Sequence, residues 1–300
     1  MIPLASLGLE PARAWVFVPR MHHWVWMCLW IAAGVIVRSA ETNFADVAVQ
    51  AWKKGEHTNA LALVTKGLAA NPKDARLWNM RAHMKSLRGM RDEAIQDLTE
   101  AIKLEPDSAP LWQERAKLRF RLNRMEDAVV DFDRAVSLRP EAEPYNWERG
   151  IAQYYAGKFA EGRRQFETHQ TVNSNDVENA VWHFLCVARA KGLDEARKNL
   201  IPIQGDTRVP MKEVHQLFAG KLTVKEVLAA AEKGSANAGD LSRQRFYAHL
   251  YLGLYYEALG EAPKVREHIL AAVQLAETAD YMGDVARVHA QRLDAPKPGK

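Results

Sequence analysis

His183 and Cys186 stand three residues apart in ENAVWHFLCVA, a spacing that puts an imidazole and a thiol on one face of a helix. Such a pair can serve as two metal ligands or as half of a thiol–imidazole nucleophile. The segment is apolar all round, however, and a buried cysteine behaves as a small hydrophobe. We therefore read it as a core face. Carboxylates crowd EDAVVDFD, Glu126 to Asp133, at spacings that suit a solvated helix face better than an acid–base pair. The sequence contains no His-Glu-x-x-His, Cys-x-x-Cys, phosphate loop or Gly-x-Ser-x-Gly. The expectation is a protein that is not an enzyme, with no catalytic residue, metal ligand or cofactor. The alternative is an enzyme whose site lies in the irregular stretch 175–240.

Binding chemistry is easier to find. RGIAQYYAGKFAEG, Arg149 to Gly162, sets two tyrosines between two glycines, and Trp147 lies just upstream. Trp and Tyr bury large areas and keep a polar tip, which suits them to docking surfaces. Whether Tyr154 and Tyr155 dock a partner or pack on the following helices is left open by the pattern. Arg81, Arg115 and Arg149 recur at one spacing. A ladder of ligand contacts is one reading. The other, which the spacing favours, is ion pairs Asp97–Arg115 and Asp131–Arg149 between adjacent units. Exposed pairs of that kind contribute about 0.2–1 kcal/mol each.

The positioning elements come from a repeat. Gly55, Gly89, Asn123 and Gly157 fall 34 residues apart, as do Ala60, Ala94, Ala128 and Gly162, and Val64, Leu98, Phe132 and Phe166. Pro72, Pro106 and Pro140 share the period, and so do Trp78 and Trp112. This is the tetratricopeptide period and residue pattern. It predicts an all-α fold, a right-handed superhelical solenoid of antiparallel helix pairs. Helices are expected at 42–54, 57–70, 75–87, 91–104, 109–122, 125–138, 143–156 and 159–171. An irregular pair at 177–190 and 194–200 follows, then short helices at 211–219 and 223–233. A last pair at 241–259 and 262–275 and a capping helix at 279–293 complete the array. The segments are thus 1–40, 41–174 with four regular units, 175–240, 241–293, and a tail, 294–300.

In such a solenoid the first helix of each pair lines the concave face. The groove candidates are Asn79 and His83 from the second unit, Gln113, Lys117, Phe120 and Arg121 from the third, and Trp147, Ile151, Tyr154 and Tyr155 from the fourth. The groove would run from polar to aromatic. A carboxylate clamp for chaperone tails needs Lys and Asn at set places, which here hold Ala45, Val49, Asn79, His83, Gln113 and Lys117. The clamp is not present.

Four segments in order, RGIAQYYAGKFAEGRRQF, ENAVWHFLCVA, VPMKEVHQLFAGKLTVKEVL and HLYLGLYYEALGEAPKVREHILAAV, resemble the NlpI family of bacterial lipoproteins. The resemblance runs from about Phe44 to Leu293. It implies an all-helical, often dimeric envelope adaptor that binds cell-wall hydrolases and a periplasmic protease and brings them together. One departure matters. Cys28 sits inside the apolar run HWVWMCLWIAAGVIV rather than after a small residue at its end, so no lipid anchor is expected.

That run follows Arg13 and Arg20 and precedes RSAETN, the order of an export signal. Cleavage after Ser39 fits the small-residue rule. It is short for a spanning helix, which needs about 20 residues. An uncleaved anchor and a start at Met21 are the alternatives for this segment, and a generic scaffold for secretion or envelope assembly, or a cytosolic one, is the alternative for the role. The formal charge of +4 is not evenly placed: the first 40 residues carry +2 and the whole remainder only +2, so the body is nearly neutral and nucleic acid is not an expected partner. Other proteins or peptides are, and the first helix, Thr42 to Lys54 with Trp52, offers an unpaired end for a homodimer. Membrane contact is expected only through the N-terminal segment.

Overall fold

The computed structural model describes residues 43–233, 237–276 and 281–294. The apolar run expected to act as an export signal, Cys28 and the tail after 294 lie outside the described residues. All described secondary structure is helical. Four units stack in order: α1 Phe44–Lys53 with α2 His57–Ala70, α3 Ala75–Leu87 with α4 Arg91–Leu104, α5 Ala109–Arg121 with α6 Met125–Leu138, and α7 Trp147–Tyr155 with α8 Phe159–Gln170. The second half follows as α9 Val177–Lys191, α10 Leu193–Lys198, α11 Met211–Phe218, α12 Val224–Ala231, α13 Ala238–Leu259, α14 Ala262–Leu275 and α15 Tyr281–Asp294. Through the four units each helix packs on its sequence neighbour, and α11 packs back on α9, so stacking makes the core that a lone pair could not bury.

The 34-residue period is visible in the backbone. Gly55, Gly89, Asn123 and Gly157 all turn between paired helices with positive φ, Asn123 at 58°. Asparagine tolerates this left-handed region better than other side-chain-bearing residues. Gly150 and Gly162 serve close approach instead. A Cβ on Gly150 would lie 2.7 Å from the Phe166 ring, and one on Gly162 would lie 2.9 Å from Cys186 Sγ. Cys186 is thereby fixed as a packing residue, fully buried, with its thiol pushed up by burial. Trp78 and Trp112 each donate an indole N–H to a proline carbonyl six residues earlier, at 2.8 Å.

Three expectations change. The fourth unit does not open with a helix at 143. Pro140–Tyr145 forms a 3-10 turn with Pro144 inside it, and α7 starts at Trp147. Gln165 Nε2 donates to the Glu143 carbonyl and His169 Nδ1 lies 2.7 Å from that of Pro144, which pins the turn to α8. Trp52 is not on a free end. It is buried within the first unit, its ring 4.2 Å from His57, because α2 folds back over it.

The third correction concerns the arginine ladder. Arg115 pairs with Asp131, not Asp97, through two bonds of 2.8 Å, and Arg81 pairs likewise with Asp97. Each pair joins the two helices of one unit, 16 residues apart. The other guanidinium arm reaches 16 residues back, to Thr65 and Thr99. In the fourth unit the acid changes sides. Arg149 bonds Gln165 ahead and Asp133 behind, so Asp131 is not its partner. His183 continues the register, 3.4 Å from Glu167. The ladder is structural and mostly buried, which changes its expected energetic weight.

Candidate functional site

The groove candidates divide into two groups. Asn79, His83, Gln113 and Lys117 stay exposed or half-exposed on α3 and α5. Gln113 and Lys117 both reach Glu148 of α7, at 3.3 and 3.4 Å, so the third and fourth units are bridged by a polar contact. Phe120, Ile151, Tyr154 and Tyr155 are buried, and Arg121 and Trp147 are half-buried.

The cover is the chain's own C-terminal part. Phe120 stacks on Tyr281 of α15 with ring centres 5.2 Å apart, and Trp147 meets the same ring edge-on at 5.1 Å. Arg121 Nε lies 2.6 Å from Asp284. Tyr155 Oη is 2.9 Å from His289 Nδ1, and Arg292 donates to the Tyr155 carbonyl. Tyr154 donates to Glu257 of α13 at 2.7 Å. The two tyrosines pack on Trp182 of α9 as well. So α15 and α13 occupy the aromatic end of the groove. Sequence reasoning placed α15 only as a cap. The signal was its face Tyr281, Asp284, Val285, Val288, His289 and Arg292, an i, i+3, i+4 stripe too mixed in polarity for a simple end cap.

Beside this contact a cavity of about 290 Å³ remains. Its aromatic walls are Trp147, Phe166, Trp182, Tyr247 and Tyr281, and its polar groups are His169, Asp176, Glu178, Asn179 and Arg208. Asp176 caps α9 by accepting from the Glu178 N–H, which fixes both carboxylates at the helix start. Arg208, from the loop before α11, lies within 2.6 Å of Asp176, Glu178 and Asp206. Tyr251 of α13 donates to Glu178 at 2.7 Å. Burial, opposed by Arg208, raises the Glu178 carboxyl to about 7.

That shift has a stability consequence. The folded state keeps a proton on Glu178 that the unfolded chain releases at the ordinary carboxylate pKa, so this group costs stability as pH rises from about 4.5 to 7. His183, His249, His268 and His289 shift the other way, their affinity for a proton lowered chiefly by burial. They cost stability as pH falls through the unfolded histidine range. Glu178→Gln should isolate the first effect, since the histidines are common to both proteins. Urea unfolding at pH 5 and pH 7.5 is expected to show the variant gaining on the wild type at the higher pH. An unchanging difference would contradict the assignment.

The profile of the tetratricopeptide repeat matches residues 75–108 and 109–141. A tetratricopeptide repeat protein from Parabacteroides merdae has a similar structure at 17% identity, over 83% of this chain and 97% of that one, with a TM-score of 0.54. MamA is 18% identical over 52% of this chain and 86% of that one, with a TM-score of 0.48. PilW, a type IV pilus biogenesis factor, is 17% identical over 83% and 99%, with a TM-score of 0.46. At these identities the likeness concerns the fold alone. No curated protein matches the sequence. The period, the turn conformations, the profile match and the structural likeness together make this chain a tetratricopeptide-repeat protein with the all-α solenoid of that repeat.

Proposed function

We propose that the protein is a non-enzymatic tetratricopeptide adaptor of the bacterial cell envelope, similar in role to the NlpI lipoproteins but without their lipid anchor. One observation carries the binding reading: Asn79 and His83 on α3, and Gln113 and Lys117 34 residues later on α5, stay exposed or half-exposed, while α15 takes up Phe120 and Arg121 at the end of α5. Solenoids of this kind work through such surfaces. The envelope assignment rests on the segment order after Arg149 and on the apolar run after Arg20. Wall hydrolases and a protease are the partners this reading names, and self-association belongs to it.

Affinity capture from bacterial envelope extract, with identification by mass spectrometry, tests the reading. Wall hydrolases or a protease should be recovered, and a His83→Ala, Gln113→Ala, Lys117→Ala triple variant should recover much less of them. Recovery of chaperones alone, or equal recovery by the variant, would count against the adaptor surface. N-terminal sequencing of the native protein is expected to begin near Ala40. A start at Met1 or Met21 would remove the cleaved export signal.

A further inference from the structure

The cavity between α7, α8, α9, α13 and α15 has an unbalanced charge. Asp176, Glu178 and Asp206 share one guanidinium, that of Arg208. The Arg208 side chain is 44% exposed, so it stands at the rim, while Glu178 is 15% exposed and lies deeper. His169, on the wall, is 4.0 Å from Asp176. Even with a proton retained on Glu178, the carboxylates of Asp176 and Asp206 outnumber the one guanidinium they share.

A second, independent feature marks the same space. Asn179 Oδ1, Trp182 Nε1 and Tyr281 Oη are buried and have no hydrogen-bond partner among the described residues, and all three residues line the cavity. Asn179 is 3% exposed and Trp182 1%. Leaving such a buried donor or acceptor unpaired costs its full desolvation, so native folds rarely hold several together. Two of these atoms accept hydrogen bonds and one, the indole N–H, only donates.

We propose that this cavity receives the lysine or arginine side chain of a partner polypeptide. This rests on the adaptor reading above and names what the adaptor recognises. Aromatic faces attract a cation through their quadrupole, and Trp is the strongest of them. Asp176 and Asp206 supply the counter-charge, joined by Glu178 above about pH 7, so the titrations are run at pH 8. Asn179 Oδ1, Tyr281 Oη and the Trp182 indole N–H, closed to solvent while the cavity is empty, are the unsatisfied groups that an incoming side chain and its backbone carbonyl would pair with. The volume suits one side chain, since sites for drug-sized ligands run from about 300 Å³ upward. Because Tyr281 belongs to α15 and Trp147 to α7, the pocket exists only when the C-terminal helix is docked.

Isothermal titration of the full chain with blocked pentapeptides Gly-Gly-X-Gly-Gly tests the proposal, with X as Lys, Arg, norleucine, citrulline or Glu. Binding is expected for Lys and Arg and not for the other three. Glu178→Gln and Trp182→Phe should each weaken the Lys peptide by about tenfold, equivalent to about 1.4 kcal/mol. Lys66→Ala, an exposed position on α2 away from both the cavity and the groove, should leave it unchanged. Circular dichroism of each variant shows whether it is folded. If a variant loses helix, the peptide series on the wild type alone decides. Equal binding of Lys and norleucine, or no binding of either cation, overturns the proposal. Lysine-peptide binding that Glu178→Gln and Trp182→Phe leave intact overturns it too. Capture of envelope partners by a chain that ignores the cationic peptides would sink the pocket and keep the adaptor. Loss of capture with cationic binding retained would do the reverse.

Discussion

Asp131→Ala is expected to destabilise the protein by about 3–5 kcal/mol, the cost of leaving buried charge unpaired. Asp131 is 0% exposed. It accepts two bonds from Arg115 at 2.8 Å and a contact from Arg119 at 2.7 Å. Removing it strands Arg115, itself buried, with only Thr99 and the Trp112 face left to it. Asp133 is the control. It is a partner of Arg149 two residues further along the same helix, but its side chain is 44% exposed, and water replaces it easily. Asp133→Ala should therefore cost about 0–1 kcal/mol. Urea unfolding of the two variants checks both numbers. Equal and small losses would mean that the ladder is solvated and that the exposed-pair expectation was right after all.

The ladder shows where local sequence logic succeeds and where it stops. Every helix of the first three units could be placed within a residue or two, because the apolar period and the glycine turns are local signals. Asn123 was readable as a left-handed turn because it stands in a glycine register. The ion pairs were assigned to the wrong units because an offset of 18 and one of 16 are equally regular in sequence. What separates them is geometry. Antiparallel helices of one pair face each other around their common turn, so residues at matched distances from Asn123, such as Arg115 and Asp131, meet. The fourth unit broke the pattern where Gln165 replaced the repeating acid, and the sequence shows that exchange plainly. The groove was legible as an aromatic surface. Its occupation was not, because Arg121 and Asp284 are 163 residues apart and no period connects them.

That long-range contact leads to the second large effect. Phe120→Ala should cost about 3–5 kcal/mol, the usual range for an aromatic ring removed from a core. Phe120 sits at the end of α5 and is 0% exposed. In a bare groove it would face solvent. Its burial comes from Tyr281, stacked at 5.2 Å, and Tyr155, edge-on at 5.9 Å. A double-mutant cycle with Tyr281→Ala should therefore return a coupling of about 0.5–1.5 kcal/mol, the range for such ring pairs. The coupling separates this arrangement from one in which Phe120 is buried by its own unit, where the two losses would simply add. Hydrogen exchange adds a spatial readout. In a solenoid each unit contacts chiefly its neighbours, so damage stays local. Phe120→Ala should speed amide exchange in α15 and the end of α5 while α1 and α2 keep their protection. Additive losses, or faster exchange spread evenly over the chain, would show that α15 does not hold the aromatic end of the groove.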